Sequence, residues 1–144
     1  MKVSFDFDST LTLECVQKLA SKLIYAGHDV HIVTGRFEFA DNSGNKVSNT
    51  EVFDVAEELK IPIENIHFCN MKNKSEFFKE NPDFIWHLDD DDIELESIRA
   101  ETNVFPILRN IENNWKHQCY DTLRIIACRK SEWITELEAF LPRY

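Results

Sequence analysis

Lys2-Val3-Ser4-Phe5-Asp6-Phe7-Asp8-Ser9-Thr10-Leu11-Thr12 begins as a brief alternation of apolar and polar residues and ends in two carboxylates at i and i+2. The alternation predicts a first strand over residues 2–5, buried and running into a polar loop. The residues after it predict a helix. Apolar side chains recur at Leu13, Val16, Leu19, Ala20, Leu23 and Ile24, one face of a helical period, with Thr12 placed to cap the start and Gly27 to end it.

The strand-then-helix unit repeats down the chain. A second strand spans 30–33 and closes on Thr34-Gly35-Arg36; residues 52–59 carry a helical apolar stripe that stops ahead of Pro62; a third strand spans 65–69; and a short helix occupies 75–80. Asn81-Pro82 breaks that helix. A fourth strand over 84–88 turns through Asp89–Asp92 into a helix carrying Ile93, Leu95, Ile98 and Ala100, and a fifth over 104–108 is confined to an edge by Pro106. Strictly alternating strands and helices argue an α/β fold, a doubly wound, Rossmann-like parallel sheet with right-handed crossovers.

Residues 37–49 form the longest loop, with a weak hairpin signal between Phe37-x-Phe39 and Lys46-Val47. Beyond residue 109 the pattern loosens. Residues 122–128 suit strand or helix, and 131–141 read as a terminal helix ended by Pro142, so this extension is expected to pack as a tail against the sheet. The 144 residues, 43% of them hydrophobic, suit a single domain with its core over about 2–108.

In an open parallel sheet a ligand sits beyond the carboxyl ends of the strands, which directs attention to Asp6-Phe7-Asp8, to Thr34-Gly35-Arg36 and to Asp89-Asp90-Asp91-Asp92. Two carboxylates at i and i+2, joined by a third from another strand, can hold a hard cation and leave one carboxylate oxygen free to attack. Mg2+ would offset their repulsion and draw a phosphoryl group into line with Asp6. The aspartyl-phosphate so formed needs water. Asp8 is placed to serve as acid and base, provided its surroundings raise its pKa.

Residues 3–12 resemble the first motif of the haloacid-dehalogenase-like (HAD) hydrolases, DxDx[TV]. Thr34 after the second strand resembles the second motif, Lys72 or Lys74 ahead of a helix the third, and Asp89-Asp90 after the fourth strand the fourth. The resemblance covers about 2–108 and implies a sheet in the order 5-4-1-2-3. It also implies phosphatase chemistry, since Asp8 is kept where dehalogenases lack it. By the same resemblance Asp6 is nucleophile and Mg2+ ligand, Asp8 is acid/base with its backbone carbonyl on the metal, and Thr34 and Gly35 hold phosphate. Lys74 is preferred to Lys72 because it opens Ser75-Glu76-Phe77-Phe78, and Asp90 to Asp89 as the further metal ligand.

Family members often carry a cap domain, but only 25 residues separate Asp8 from Thr34, and 69–74 is a short link. A capless site implies a large or extended phosphorylated substrate, with a nucleotide or nucleic-acid 3′/5′-phosphate ahead of small metabolites or phosphoprotein. Arg36, Phe37, Phe39 and the 37–49 loop are candidates for selectivity.

Plainer readings stand beside these. Asp91 and Asp92 suit the first turn of a helix, where they favour its dipole. Arg36 serves equally as a surface salt bridge; His67, His87, Phe37, Phe39 and Trp115 serve as packing residues. His117, Cys119 and Cys128 fit no common zinc spacing. Four cysteines without a CxxC pair, no leader and no long apolar run predict a cytoplasmic protein with no membrane partner.

The net charge of −10 is uneven: residues 1–102 hold 10 Lys/Arg against 21 Asp/Glu, residues 103–144 hold 6 against 5. That field repels polyanions, so general nucleic-acid binding is not expected. The alternative to catalysis is a HAD-like binding or interaction module. The intact set Asp6, Asp8, Thr34, lysine and Asp90 weighs against it.

Overall fold

Five short strands pair in parallel, and their order fixes where the polar strand ends meet. In a computed structural model, β1 (Lys2–Phe5), β2 (Asp29–Thr34), β3 (Ile66–Phe68), β4 (Trp86–Asp89) and β5 (Phe105–Leu108) form one sheet in the order β3-β2-β1-β4-β5. Every neighbouring pair runs parallel, which is the expected 5-4-1-2-3 order. The structure describes residues 1–111 and 114–140, with 133–140 by backbone alone. Among the described residues five α-helices accompany the strands: α1 (Glu14–Tyr25), α2 (Thr50–Leu59), α3 (Lys74–Glu80), α4 (Asp92–Glu101) and α5 (Trp115–Phe140).

Side chains alternate across a strand, so β1 sends Val3 and Phe5 to one face and Ser4 to the other. On the first face they join Trp86, Leu88, Ile32 and Ile107 in a core completed by Val16, Leu19 and Leu23 of α1, Val52 and Ala56 of α2, and Trp115, Cys119 and Leu123 of α5. On the second face Val33 packs with Phe78 of α3, with Phe84 and Val104, and with Leu95 and Ile98 of α4. The centre of that second face is polar. Ser4 and His87 are register partners there, bonded at 2.8 Å between Ser4 Oγ and His87 Nδ1.

Several boundaries differ from the sequence expectation for local reasons. Thr12 does not cap α1: residues 7–11 make an extra turn, in which Leu11 N donates to Asp6 O and Thr12 N to Phe7 O, and the cap position passes to Leu13 without a side-chain bond. Gly27, at φ 91°, does end that helix. β4 begins at Trp86, although Ile85 N still donates to Lys2 O at 2.8 Å.

The 37–49 loop holds one antiparallel bridge, Ala40 with Lys46. Pro106 lies on the edge strand β5, where its missing N–H costs no ladder bond. The largest difference is at the tail. α5 is continuous from Trp115, so residues 122–128 are helical and Ser131 lies inside the helix instead of opening it. Trp86 Nε1 donates to Cys119 O at 3.1 Å, tying this helix to the sheet. The expected stop at Pro142 falls outside the described residues. Among those residues, no helix is long and apolar enough to cross a membrane.

Candidate active site

The chain order reverses at β1, which has β2 on one side and β4 on the other, and a crevice opens at such a point beyond the carboxyl ends. Asp6 extends β1 directly into it, its N–H donating to Leu88 O at 2.8 Å. The turn that follows holds Ser9 in the left-handed region, φ 57°, which L residues other than Asn and Asp seldom adopt. That turn returns Thr10 toward the strand end. Its Oγ1 donates to Asp6 Oδ2 at 3.2 Å and lies 3.4 Å from Asp90 Oδ1.

Lys74, the first residue of α3, is buried between two carboxylates. Its Nζ donates to Asp6 Oδ1 at 2.7 Å and to Asp89 Oδ2 at 2.5 Å, while its backbone N–H is accepted by Glu94 Oε2 at 3.0 Å. Behind Asp89 stands His87, whose Nε2 is 2.8 Å from the same Oδ2. An ionised carboxylate only accepts, so Nε2 carries the proton and Nδ1 accepts from the Ser4 hydroxyl. A polar column thus runs under the crevice, from Ser4 through His87 and Asp89 to Lys74 and Asp6.

These surroundings drive the carboxylates apart. Burial pushes Asp6 up to about 7, a rise that Lys74 opposes and the Asp89 charge reinforces. Burial also works against Asp89, yet the His87 and Lys74 contacts outweigh it and hold that carboxyl well below the usual range. Lys74 itself is raised: burial disfavours its charge, but Asp6 and Asp89 more than compensate. Asp8 does not find the environment that an acid needs. Arg36 donates to it twice, Nε to Oδ2 at 2.9 Å and Nη2 to Oδ1 at 2.6 Å, and these bonds lower its pKa.

Asp6, Asp89 and Asp90 present carboxylate oxygens that lie within 4.8 Å of one another. Three hard oxygen donors converging from two strand ends suit Mg2+ or a similar cation. The side chain of Asp8 stands outside this group, as do Asp91 and Asp92. Asp91 caps α4, accepting from Ile93 N and Glu94 N, and Asp92 begins it.

A cleft of about 330 Å³ lies over these groups, walled by Asp6, Asp8, Gly35, Arg36, Lys72, Lys74, Asp89 and Asp90. Lys74, not Lys72, contacts Asp6; Lys72 stands on the rim. Thr34 is buried at the end of β2, where its Oγ1 accepts from Arg36 N at 3.3 Å, and it does not reach the wall. Phe37 and Phe39 do not line the cleft either, and Phe39 is exposed. Their loop closes on itself: Asn49 Nδ2 donates to Phe37 O and Glu38 O, and Asp41 Oδ1 accepts from Ser43 N and Asn45 N.

The structure adds residues that sequence reasoning left aside. His87 is one; its spacing of two from Asp89 on a strand places both on one face, a signal that was present. Met71 and Glu94 are others on the wall. Asn70 and Met71 both have positive φ, 53° and 63°, in the tight turn after β3, and Met71 N donates to Gly35 O at 2.7 Å. His67 stacks on His31 away from the cleft. Cys119 is buried and Cys128 exposed, and among the described residues Asp6, Asp89 and Asp90 are the group able to hold a metal. No protein-family model and no curated protein matches this chain.

Proposed function

We propose that the protein is a HAD-like, Mg2+-dependent phosphomonoester hydrolase working through an aspartyl-phosphate on Asp6. One observation carries the reading: Asp6, at the reversal point of a parallel sheet, is bonded to Lys74 and lies within 4.8 Å of the Asp89 and Asp90 carboxylates. Asp6 attacks phosphorus, the P–O bond to the leaving group breaks, and Asp8 protonates the departing alkoxide. Water then attacks the phosphorus of the aspartyl-phosphate and gives its proton to Asp8, releasing phosphate and restoring Asp6.

Lys74 neutralises Asp6 and orients the oxygen that is to attack. Mg2+, held by Asp6, Asp89 and Asp90 with the Asp8 carbonyl, neutralises charge on the phosphoryl oxygens when bound. In the free protein Arg36 keeps Asp8 ionised, the form that accepts a proton in the second step. For the first step the guanidinium must pass from Asp8 to the incoming phosphate. Gly35 then lines the phosphate position from the β2 side, with Thr34 buried behind it holding the Arg36 N–H. The open cleft favours an extended substrate, with a nucleotide or nucleic-acid terminal phosphate ahead of a metabolite or phosphoprotein, and four free cysteines suit a reducing cytoplasm.

The test is Mg2+-dependent release of phosphate from an aryl phosphate and a nucleotide panel, with Asp6→Asn as control. Turnover by the wild type and none by the variant is the expected result. Equal inactivity of the two across the panel would overturn the catalytic reading.

A further inference from the structure

A second cavity adjoins the cleft on its β5 side. Asp90 belongs both to the cleft wall and to an adjoining cavity of about 490 Å³ walled by Arg109, Asn110 and Ile111. Arg109 follows β5 immediately, and its backbone N–H donates to Asp89 O at 2.8 Å. The residue is therefore pinned beside the strand end that presents Asp89 and Asp90.

Its side chain is incompletely satisfied. Among the described residues, buried Arg109 Nε has no hydrogen-bond partner. A buried donor left unpaired is costly and rare in folded proteins, so the guanidinium gains by turning out toward an acceptor that enters the adjoining cavity. The other cations belong to the main cleft. Lys74 is held by Asp6 and Asp89; Arg36 is held by Asp8, with Glu51 at 3.8 Å; and Lys72 stands in the main cleft, after β3. On the β5 side, Arg109 is the cation among the residues that wall the adjoining cavity, and in so acidic a surround it decides how an anionic substrate lies.

We infer that Arg109 anchors a second anion subsite, and that the substrate is a phosphomonoester whose leaving group carries another phosphate: a nucleoside bisphosphate or the terminal nucleotide of an oligonucleotide. This inference rests on the phosphohydrolase reading of Asp6. A guanidinium fork matches phosphate with two parallel hydrogen bonds. β1 and β5 are two strand spacings apart, about 10 Å, a gap that the reach of an arginine and one sugar between two phosphates together close. Ile111, 94% exposed beside Arg109, offers an apolar surface for a base. The selectivity surface accordingly extends over β4 and β5.

Equilibrium binding tests the subsite without turnover. In an Asp6→Asn background with Mg2+, calorimetry compares a nucleoside 5′-monophosphate, the corresponding 3′,5′-bisphosphate and a 5′-phosphorylated tetranucleotide. The bisphosphate should bind roughly 10- to 100-fold tighter than the monophosphate. Arg109→Gln should abolish that preference, and Arg109→Lys should keep part of it. Tetranucleotide binding tighter than bisphosphate identifies a nucleic-acid end as the source of the second phosphate; weaker binding identifies a free nucleotide.

Equal affinity for mono- and bisphosphate, or a preference that survives Arg109→Gln, overturns the subsite. The two readings fail separately. A preserved bisphosphate preference in a protein whose wild type hydrolyses no phosphomonoester removes the catalytic assignment and leaves the subsite. Hydrolysis without the preference does the reverse.

Discussion

Replacing Asp6 by asparagine should end the proposed chemistry and stabilise the protein, by an amount that grows with pH. The magnitude follows from burial, which lifts the Asp6 carboxyl from 3.8 to about 7 against the pull of Lys74. A carboxyl whose folded pKa lies above its unfolded value binds its proton more tightly in the native state. Its contribution is fully present below about pH 3.8 and is lost as pH rises through about 7, a total of about 4 kcal/mol. Asparagine has no such dependence, and its amide oxygen still accepts from Thr10 or Lys74. The variant should therefore lead the wild type by about 1 kcal/mol at pH 4.5 and about 4 kcal/mol at pH 8. Asp89, shifted the other way, titrates below this window and is common to both proteins. Urea denaturation at pH 4.5, 6 and 8 with a chelator present measures the gap, and added Mg2+ should narrow it at pH 8 by binding the folded wild type. A gap that is flat with pH, or that favours aspartate at pH 8, would refute the reasoning. A positive result has the form of a stability–activity trade-off at the nucleophile.

Lys74→Met should cost about 3–5 kcal/mol at pH 8, because it leaves Asp6 and Asp89 buried without their shared counter-charge. The Lys74→Met/Asp6→Asn double variant should recover part of that loss in the same urea assay, since the two sites are in contact. Arg36→Ala should change stability by less than about 1 kcal/mol, because Asp8 is 55% exposed and the pair is screened by water. Its effect should instead be on titration: losing the Arg36 hydrogen bonds lets the Asp8 carboxyl pKa rise toward its ordinary value. A carboxyl-carbon NMR titration reads this directly, and an unchanged Asp8 curve would contradict the assigned cause.

Periodicity carries the sheet. Each strand is a short apolar run between turn residues, and alternation with helices leaves few ways to arrange them, so the strand ends holding Asp6, Thr34 and Asp89 are legible in advance. The pairing of Lys74 with Asp6 is legible only as a preference, since it depends on how α3 enters from the turn after β3. Arg36 with Asp8 is not legible at all: the residues are 28 apart in sequence, and nothing local tells a guanidinium to choose Asp8 over a substrate. The α1 cap is misread because an extra turn at Phe7–Leu11 absorbs Thr12. In α5, Leu123, Ile125 and Ile126 form a run that fits either period. Helix wins because Trp115, Cys119 and Leu123 at four-residue spacing find a core to enter, while Ile125 stays half exposed.

The indole of Trp86 ties two parts of the molecule that sequence reading treats separately. Its ring is fully buried on β4, and its N–H ends on a carbonyl well inside α5. The helix cannot leave the sheet without stranding that N–H and opening the core around Phe5, whose ring meets the indole edge-on at 5.3 Å. Tail and sheet should therefore melt as one cooperative unit. The exchange rate of that single indole proton is a built-in gauge of whether the strand bearing Asp89 is anchored.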